Sequence, residues 1–131
     1  MPQLTEADRG LLRGRNYAHF VTLDPGGSPR STPVWIDVDD DAHLLVNTAV
    51  DRVKDRDVRR DPRVAVSVLA QEDPYRWLSV TGTVVELVTG DEAERHIDEL
   101  SRRYDDTAWV YQPGQERVMY RIRPDRVRRS G

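Results

Sequence analysis

Apolar and polar residues alternate along much of the chain, which is the pattern of strands with one buried face. Residues 17–24 and 30–38 lie on either side of the turn Pro25–Ser28, so they predict a hairpin. The full set of predicted strands covers residues 17–24, 30–38, 42–48, 64–69, 76–87 and 117–123. Because most neighbouring strands are joined by short turns, we expect a mainly antiparallel sheet that closes on itself.

Three segments follow the helical period instead and predict helices that flank the sheet. They cover residues 4–14, 52–60 and 89–104. The first has Thr5 as a cap with Asp8 three residues later, and Asp51 is expected to cap the second. Thr89–Glu92 has the spacing of a capping box for the third. The fold class is therefore mainly β with flanking helices, and we expect one domain over residues 1–131.

The alternation also assigns strand faces. Residues 30–38 are expected to point Thr32, Val34, Ile36 and Val38 to the core, and Ser31, Pro33, Trp35 and Asp37 outward. Trp77 takes the outer face of residues 76–87, and Gly82 in that strand marks a bulge or a barrel corner. The two outward tryptophans require cover from a partner subunit, a helix or a planar ligand. Dimer packing and ligand contact explain them equally well.

Composition narrows the classes of function. The chain has 131 residues, no cysteine and a net charge of -3, with 33% charged residues. The acidic balance argues against nucleic-acid binding, and the lack of cysteine excludes a disulfide framework and a thiolate metal site. No apolar run approaches the roughly 20 residues that cross a bilayer. The N-terminus lacks the features of a signal peptide, so we expect a cytoplasmic protein without a membrane partner.

The start of the second predicted helix is a candidate anion site. Arg52 and Lys54, the single lysine of the chain, fall in its first turn, beside free backbone N–H groups and the positive end of the helix dipole. Cations oppose the dipole there, and a bound phosphate or carboxylate removes the conflict. A solvated charged helix is the alternative. Like charges at i, i+4, such as Arg52 and Arg56, weaken that alternative. Arg56, Arg60 and Arg63 extend the basic stripe, whereas the basic segment from Arg126 to Gly131 predicts a frayed tail.

Few side chains have the spacing of a catalytic or metal site. His19, His43 and His96 are far apart and lack ligand spacing, and His96 is expected to be structural. Asp39–Asp41 is expected to be a solvated turn rather than a cation site. There is no nucleophile elbow, nucleophilic cysteine or phosphate-binding glycine motif. Chemistry without such groups usually belongs to a cofactor, so we predict no catalytic side chain and no metal.

Several stretches, taken in order, resemble one known family. They are His19–Leu23 with its glycine-containing hairpin, Ser31–Trp35, Asn47–Lys54, Arg59–Ala65, Tyr75–Val84, His96–Tyr104 and Arg121–Val127. The set resembles the pyridoxamine-phosphate-oxidase-like split-barrel superfamily, in particular its short actinobacterial branch of flavin/deazaflavin oxidoreductases that use coenzyme F-420. The resemblance implies a six-stranded antiparallel split β-barrel that forms a homodimer.

In that family, two equivalent clefts at the dimer interface hold the cofactor. The cofactor-binding positions that we expect are Ser31, Thr32, Pro33, Val34 and Trp35 beside the ring system, Asn47, Thr48, Arg52 and Lys54 at the phosphate, and Arg60 in the same basic stripe. The resemblance puts Tyr75 and Trp77 on the substrate side. Asp57 stands where the family usually has asparagine, so an acid replaces a polar donor and affects binding strength or tail preference.

The activity that the resemblance implies is hydride transfer from a reduced deazaflavin to a small conjugated or heteroaromatic substrate. Two alternatives remain open because split barrels host several functions. One is an FMN-binding protein of the same fold. The other is a non-catalytic flavin carrier, a sensor or a tetrapyrrole-binding barrel.

Overall fold

The computed structural model describes residues 3–130. Its helices are α1 (Glu6–Arg13), α2 (Val53–Arg60) and α3 (Asp91–Asp105). Its strands are β1 (Ala18–Leu23), β2 (Pro29–Val34), β3 (Asp37–Val38), β4 (Leu44–Ala49), β5 (Arg63–Ala70), β6 (Asp73–Val88) and β7 (Arg117–Arg129). None of the helices in this range has the length and apolar character needed to cross a membrane.

All seven strands belong to one antiparallel sheet with the order β2-β1-β5-β6-β7-β4-β3. Strands β2 and β3 lie at opposite edges of this sheet, yet only Trp35 and Ile36 separate them in the chain. Val34 and Asp37, the facing ends of these strands, are three residues apart and so at most about 10 Å from each other, which means that the sheet must curl until its edges approach. The mainly antiparallel, curled sheet that the sequence predicts is confirmed.

The strand predicted over residues 30–38 is in fact two strands, so the sheet has seven strands rather than six. Val34 is paired with Ala18 of β1, whereas Asp37 is paired with Leu45 of β4. The hydroxyl of Tyr104 accepts a hydrogen bond from the backbone N–H of Ile36 at 3.2 Å between these strands. Apolar and polar residues keep alternating through residues 30–38 because the same extended segment leaves one edge of the sheet and joins the other edge.

The core fills the concave side of the curled sheet. The largest fully buried side chains of the main core are Tyr120, Phe20, Leu12, Ile36, Leu44, Leu78, Ile122, Val46, Val66, Val68 and Val80. Most of them come from alternate strand positions, as the sequence pattern predicts. Helix α1 adds Leu12 to this core, and α3 packs Ile97 and Leu100 against Trp35 in a second cluster.

The helix caps agree only in part with the sequence. Thr5 and Asp8 form the predicted capping box of α1. The predicted box at Thr89–Glu92 is wrong, because α3 begins after Gly90 and no side chain caps it. Gly90 has a φ of 75°, a left-handed conformation that glycine adopts without steric cost.

Strand β7 runs beyond the predicted residues 117–123 as far as Arg129, so most of the expected frayed tail is ordered. Val127 is paired with Val80 of β6, which extends the ladder past the bulge. Arg129 also forms an ion pair with Asp8 of α1 at 2.8 Å. Gly131 lies outside the described residues.

Gly82 confirms the predicted bulge, since the register of β6 with β7 shifts between Thr81 and Gly82. A Cβ atom at Gly82 would lie 2.5 Å from the backbone oxygen of Arg123 and 2.8 Å from Cγ2 of Ile122. Both distances are well inside van der Waals contact, so the strands can pair this closely only at a glycine.

Replacing Gly82 with alanine should lower the free energy of unfolding by roughly 1–3 kcal/mol, because the strands must separate to admit the methyl group. Gly26→Ala is the matched control, since its Cβ would meet only the Asp24 carboxylate at 3.5 Å. Both substitutions lower the conformational entropy of the unfolded chain by a similar amount, so this effect cancels in the comparison. Urea unfolding of the two variants measures the difference, and equal stabilities would contradict the close approach.

Candidate functional site

A cleft of about 380 Å³ opens where β2, β4, α2 and β7 meet. It is lined by Tyr17, Pro33, Val34, Trp35, Asn47, Thr48, Arg52, Lys54, Ile97, Trp109 and Arg117. Seven of these are predicted cofactor-binding residues, from three separate parts of the chain. The remaining four, Tyr17, Ile97, Trp109 and Arg117, were missed by the sequence analysis.

One end of the cleft is aromatic. Trp35 is stacked on Tyr104, with ring centroids 5.2 Å apart and planes inclined by 4°. Tyr17 packs on the same Tyr104 ring with a centroid distance of 5.4 Å. The hydroxyl of Tyr104 donates to the backbone oxygen of Asn16 at 2.7 Å, which fixes the ring between β1 and α3. The outward Trp35 is therefore covered in part by helix α3, and its ring borders the cleft.

The other end of the cleft lies at the start of α2, where the carboxylate of Asp55 binds the backbone of the preceding turn. Asp55 is 0% exposed and accepts hydrogen bonds from the backbone N–H of Asp51 at 3.0 Å, the Tyr120 hydroxyl at 2.7 Å and Nε of Arg59 at 2.9 Å. Burial and the contact with Asp55 raise the pKa of Tyr120. Asp51 has a φ of 73°, and the helix N-cap is Arg52, without a side-chain cap. The predicted cap at Asp51 is therefore wrong, because Asp51 lies in the preceding turn.

Asp57 is also buried, on a different side of α2 from Asp55. It accepts hydrogen bonds from Thr22 at 2.8 Å and Arg60 at 2.7 Å, and it forms an ion pair with Arg30 at 3.1 Å. Burial acts to raise its pKa, but the contacts with Arg60 and Thr22 outweigh that effect and lower it. A fully solvated charged helix is therefore wrong for α2, since two of its acids are buried in hydrogen-bond networks.

Three cations remain at this end of the cleft, namely Arg52, Lys54 and Arg117. Across residues 3–130, none of the three forms an ion pair with a carboxylate. Burial, Arg52 and Arg117 together lower the pKa of Lys54. Burial and Arg52 lower the pKa of Arg117 to about 10, against a smaller opposing effect of Glu94. The three positive charges repel one another, and an anion in the cleft would relieve that repulsion.

Thr48 lines the cleft beside these cations. Its residue is 2% exposed, and among the described residues its hydroxyl oxygen has no hydrogen-bond partner. A buried hydroxyl without a partner costs free energy, and native proteins normally satisfy such groups. A hydroxyl that can donate, next to unpaired cations, fits the oxygens of a phosphate group, while the aromatic end fits a planar ring.

The other predicted site residues lie around this cleft rather than in it. Thr32 lines a second cavity of about 230 Å³, which shares Arg52 and Lys54 with the main cleft. Arg60 donates to the backbone oxygen of Leu23 at 2.9 Å and to Asp57. Ser31 is exposed on edge strand β2.

The two residues predicted on the substrate side are exposed on β6. Tyr75 is 86% exposed and Trp77 is 36% exposed, and neither lines the cleft of the single chain. Trp77 has the outward position that the alternation predicts. A contact with substrate stays a prediction for both.

The three histidines do not lie together, but His43 forms a group with Asp39 and Asp41 whose possible ligand atoms lie within 4.8 Å of one another. His96 is buried, with Nε2 3.1 Å from Asp37 and Nδ1 3.1 Å from Asn47, as a structural histidine would be. At the Asp39 turn, Asp39 accepts hydrogen bonds from the backbone N–H groups of Asp41 and His43, both at 2.9 Å. The carboxylate of Asp39 thus stabilises the turn over residues 39–43.

Comparison with known proteins places this geometry in a family. The sequence model of the pyridoxamine 5'-phosphate oxidase family matches residues 4–131. A solved structure of an F-420 reductase has 30% sequence identity and a TM-score of 0.81, over 98% of each chain. A search of curated proteins gives no match.

Two less similar structures share the fold. A conserved hypothetical protein from Mycobacterium tuberculosis has 24% identity and a TM-score of 0.77, over 98% of this chain and 85% of that one. General stress protein 26 from Bacillus anthracis has 19% identity and a TM-score of 0.73, over 95% and 92% of the two chains. Because the family match spans nearly the whole sequence and the F-420 reductase resembles it in sequence as well as in fold, the chain belongs to the pyridoxamine 5'-phosphate oxidase family.

Proposed function

We propose that this protein is an F-420-dependent oxidoreductase that transfers hydride to a small conjugated or heteroaromatic substrate. The observation that carries the proposal is the polarity of the cleft. An aromatic end with Trp35 and Tyr17 faces an end where Arg52, Lys54 and Arg117 lack acidic partners. A ligand with a planar ring and a phosphate matches both ends. The 30% identity to an F-420 reductase supports the deazaflavin among such ligands.

Each part of the cleft has a separate task in this proposal. Arg52, Lys54 and the Thr48 hydroxyl bind the phosphate, which fixes the position of the ring. Pro33 and Trp35 lie along the ring and exclude water from one face. When bound, the cofactor supplies the hydride from C5 of its ring, so the chain needs to provide orientation and charge compensation rather than a side-chain base.

An FMN-dependent reaction is the second candidate, because the cationic end of the cleft fits the phosphate of FMN as well. The match to the pyridoxamine 5'-phosphate oxidase family model favours this candidate. The two cofactors differ in the ring and in the phosphate, which is a terminal monoester in FMN and a diester with an attached tail in F-420. Separate titrations with the two cofactors therefore distinguish the candidates.

Titration of the purified protein with F-420 and with FMN, followed by fluorescence polarisation, should show micromolar or tighter binding of F-420 and much weaker binding of FMN. A preference for FMN would instead indicate an FMN-dependent oxidase or a flavin carrier. If neither cofactor binds, the cleft serves another anion and the proposed function is wrong.

The double variant Arg52→Ala/Lys54→Ala should weaken F-420 binding by more than roughly 2 kcal/mol, or about 30-fold, because charge-assisted contacts to phosphate are lost. Circular dichroism should show an unchanged fold. Arg95→Ala/Arg126→Ala is the control, since it removes the same net charge from two exposed arginines outside the cleft and outside the basic stripe. Binding equal to that of the parent would mean that the phosphate site is misplaced.

The outer face of the sheet beside the cleft supports a homodimer. Tyr17 lines the cleft and also a neighbouring surface depression with His19 and Leu69. Leu69 is paired with Trp77 of β6, and the side chains of Tyr17, Leu69 and Trp77 are all exposed. We propose that a second copy of the chain covers this surface and closes one side of each cleft.

Light scattering at micromolar concentration should therefore give the mass of a dimer. Leu69→Glu should shift the mass toward that of the monomer, because it buries a charge in the interface. Val110→Glu is the control, since Val110 is an exposed apolar residue on the loop before β7. A parent protein that is monomeric at this concentration would contradict the interface.

A further inference from the structure

Arg117 is a buried cation at the first position of β7. It is 5% exposed, and its Nε donates to Oδ1 of Asn47 at 3.0 Å. Its Nη1 donates to Oε1 of Gln115 at 3.1 Å, and its guanidinium lies 4.9 Å from the centroid of the Trp109 ring. All of these hydrogen-bond partners are neutral, and the carboxylate of Glu94 acts on the guanidinium only at a distance, without an ion pair among the described residues.

A buried arginine in this state is unusual. Taking a charge out of water costs several kcal/mol, and proteins normally offset that cost with a carboxylate. The guanidinium has five N–H donors, and the described residues use two of them. The charge and the remaining donors border the same cleft as the unpartnered hydroxyl of Thr48. Two independent groups thus lack the partner that one anion would supply.

The side chain of Asn47 is fixed so that its oxygen faces Arg117. Its Nδ2 lies 2.9 Å from the backbone oxygen of Ala93 and 3.1 Å from Nδ1 of His96. A carbonyl oxygen only accepts, so this atom must be the amide nitrogen, and Oδ1 is left for the guanidinium. His96 then accepts through Nδ1 and donates through Nε2 to Asp37 at 3.1 Å. Both amide atoms of Asn47 are therefore used within the protein.

We propose that Arg117 is a third anion-binding residue of the cleft, which acts with Arg52 and Lys54 on the cofactor phosphate, and that Asn47 is a positioning residue that aims it. The inference rests on the proposed function for the identity of the cofactor. It changes the expected task of Asn47 from contact with the phosphate to support of the residue that makes the contact. A neutral amide suits this task, because an acid at the same place would neutralise the guanidinium.

The test compares two ligands that share a ring, namely F-420 and its deazariboflavin chromophore, which lacks both the phosphate and the acidic tail attached to it. Arg117→Met should weaken F-420 binding at least tenfold and change binding of the phosphate-free chromophore less than threefold. Asn47→Asp should show the same selective loss, because it gives Arg117 a carboxylate partner. Arg126→Met, an exposed substitution on the same strand, is the control and should leave both affinities unchanged.

Equal losses for both ligands would overturn the inference, since they would mean that Arg117 only shapes the cleft. Unchanged F-420 affinity in Arg117→Met would overturn it as well. If the parent binds neither F-420 nor FMN, the proposed function fails and inorganic pyrophosphate becomes the probe, read by thermal shift. Stabilisation of the parent that is lost in both variants would then support Arg117 as an anion-binding residue. Its absence in the parent, or its persistence in Arg117→Met, would contradict that role.

Discussion

The buried carboxylate of Asp55 is the contact on which the candidate site depends. It joins the turn at Asp51, helix α2 and the core residue Tyr120, so it sets where α2 starts relative to the sheet. A buried carboxylate is tolerated only when several donors satisfy it, and here a backbone amide, a hydroxyl and the guanidinium of Arg59 do so. With the helix held in this way, Arg52 and Lys54 border the cleft.

This arrangement separates the charges of a segment in which acids and bases alternate closely. Asp55 and Asp57 are both buried, and they are hydrogen-bonded to Tyr120, Thr22 and arginines outside the cleft. The bases at the start of the helix are left without acids, and Arg117 joins them from β7. A protein with a net charge of -3 thereby has a locally cationic cleft. Local charge separation of this kind favours binding of an anion more strongly than net charge indicates.

The sequence predicted the curled sheet because alternation of apolar residues reports directly on strand faces. It also located Arg52 and Lys54, because these residues lie together in the chain. The break between β2 and β3 could not be predicted, since the alternation continues through Trp35 and Ile36 and only pairing with distant strands decides where the ladder ends. Arg117 was missed for a related reason. It is one of 20 basic residues, and neither Asn47 nor Trp109 is close enough in sequence to mark it.

The central claim is that the cationic end of the cleft holds the phosphate of a flavin-type cofactor. The most direct measurement is a crystal structure of the protein with F-420 bound. The account predicts phosphate oxygens within hydrogen-bonding distance of the Thr48 hydroxyl and in contact with at least two of Arg52, Lys54 and Arg117, with the ring beside Pro33 and Trp35. A phosphate bound elsewhere, with the Thr48 hydroxyl still unpartnered and these cations facing solvent, would contradict it.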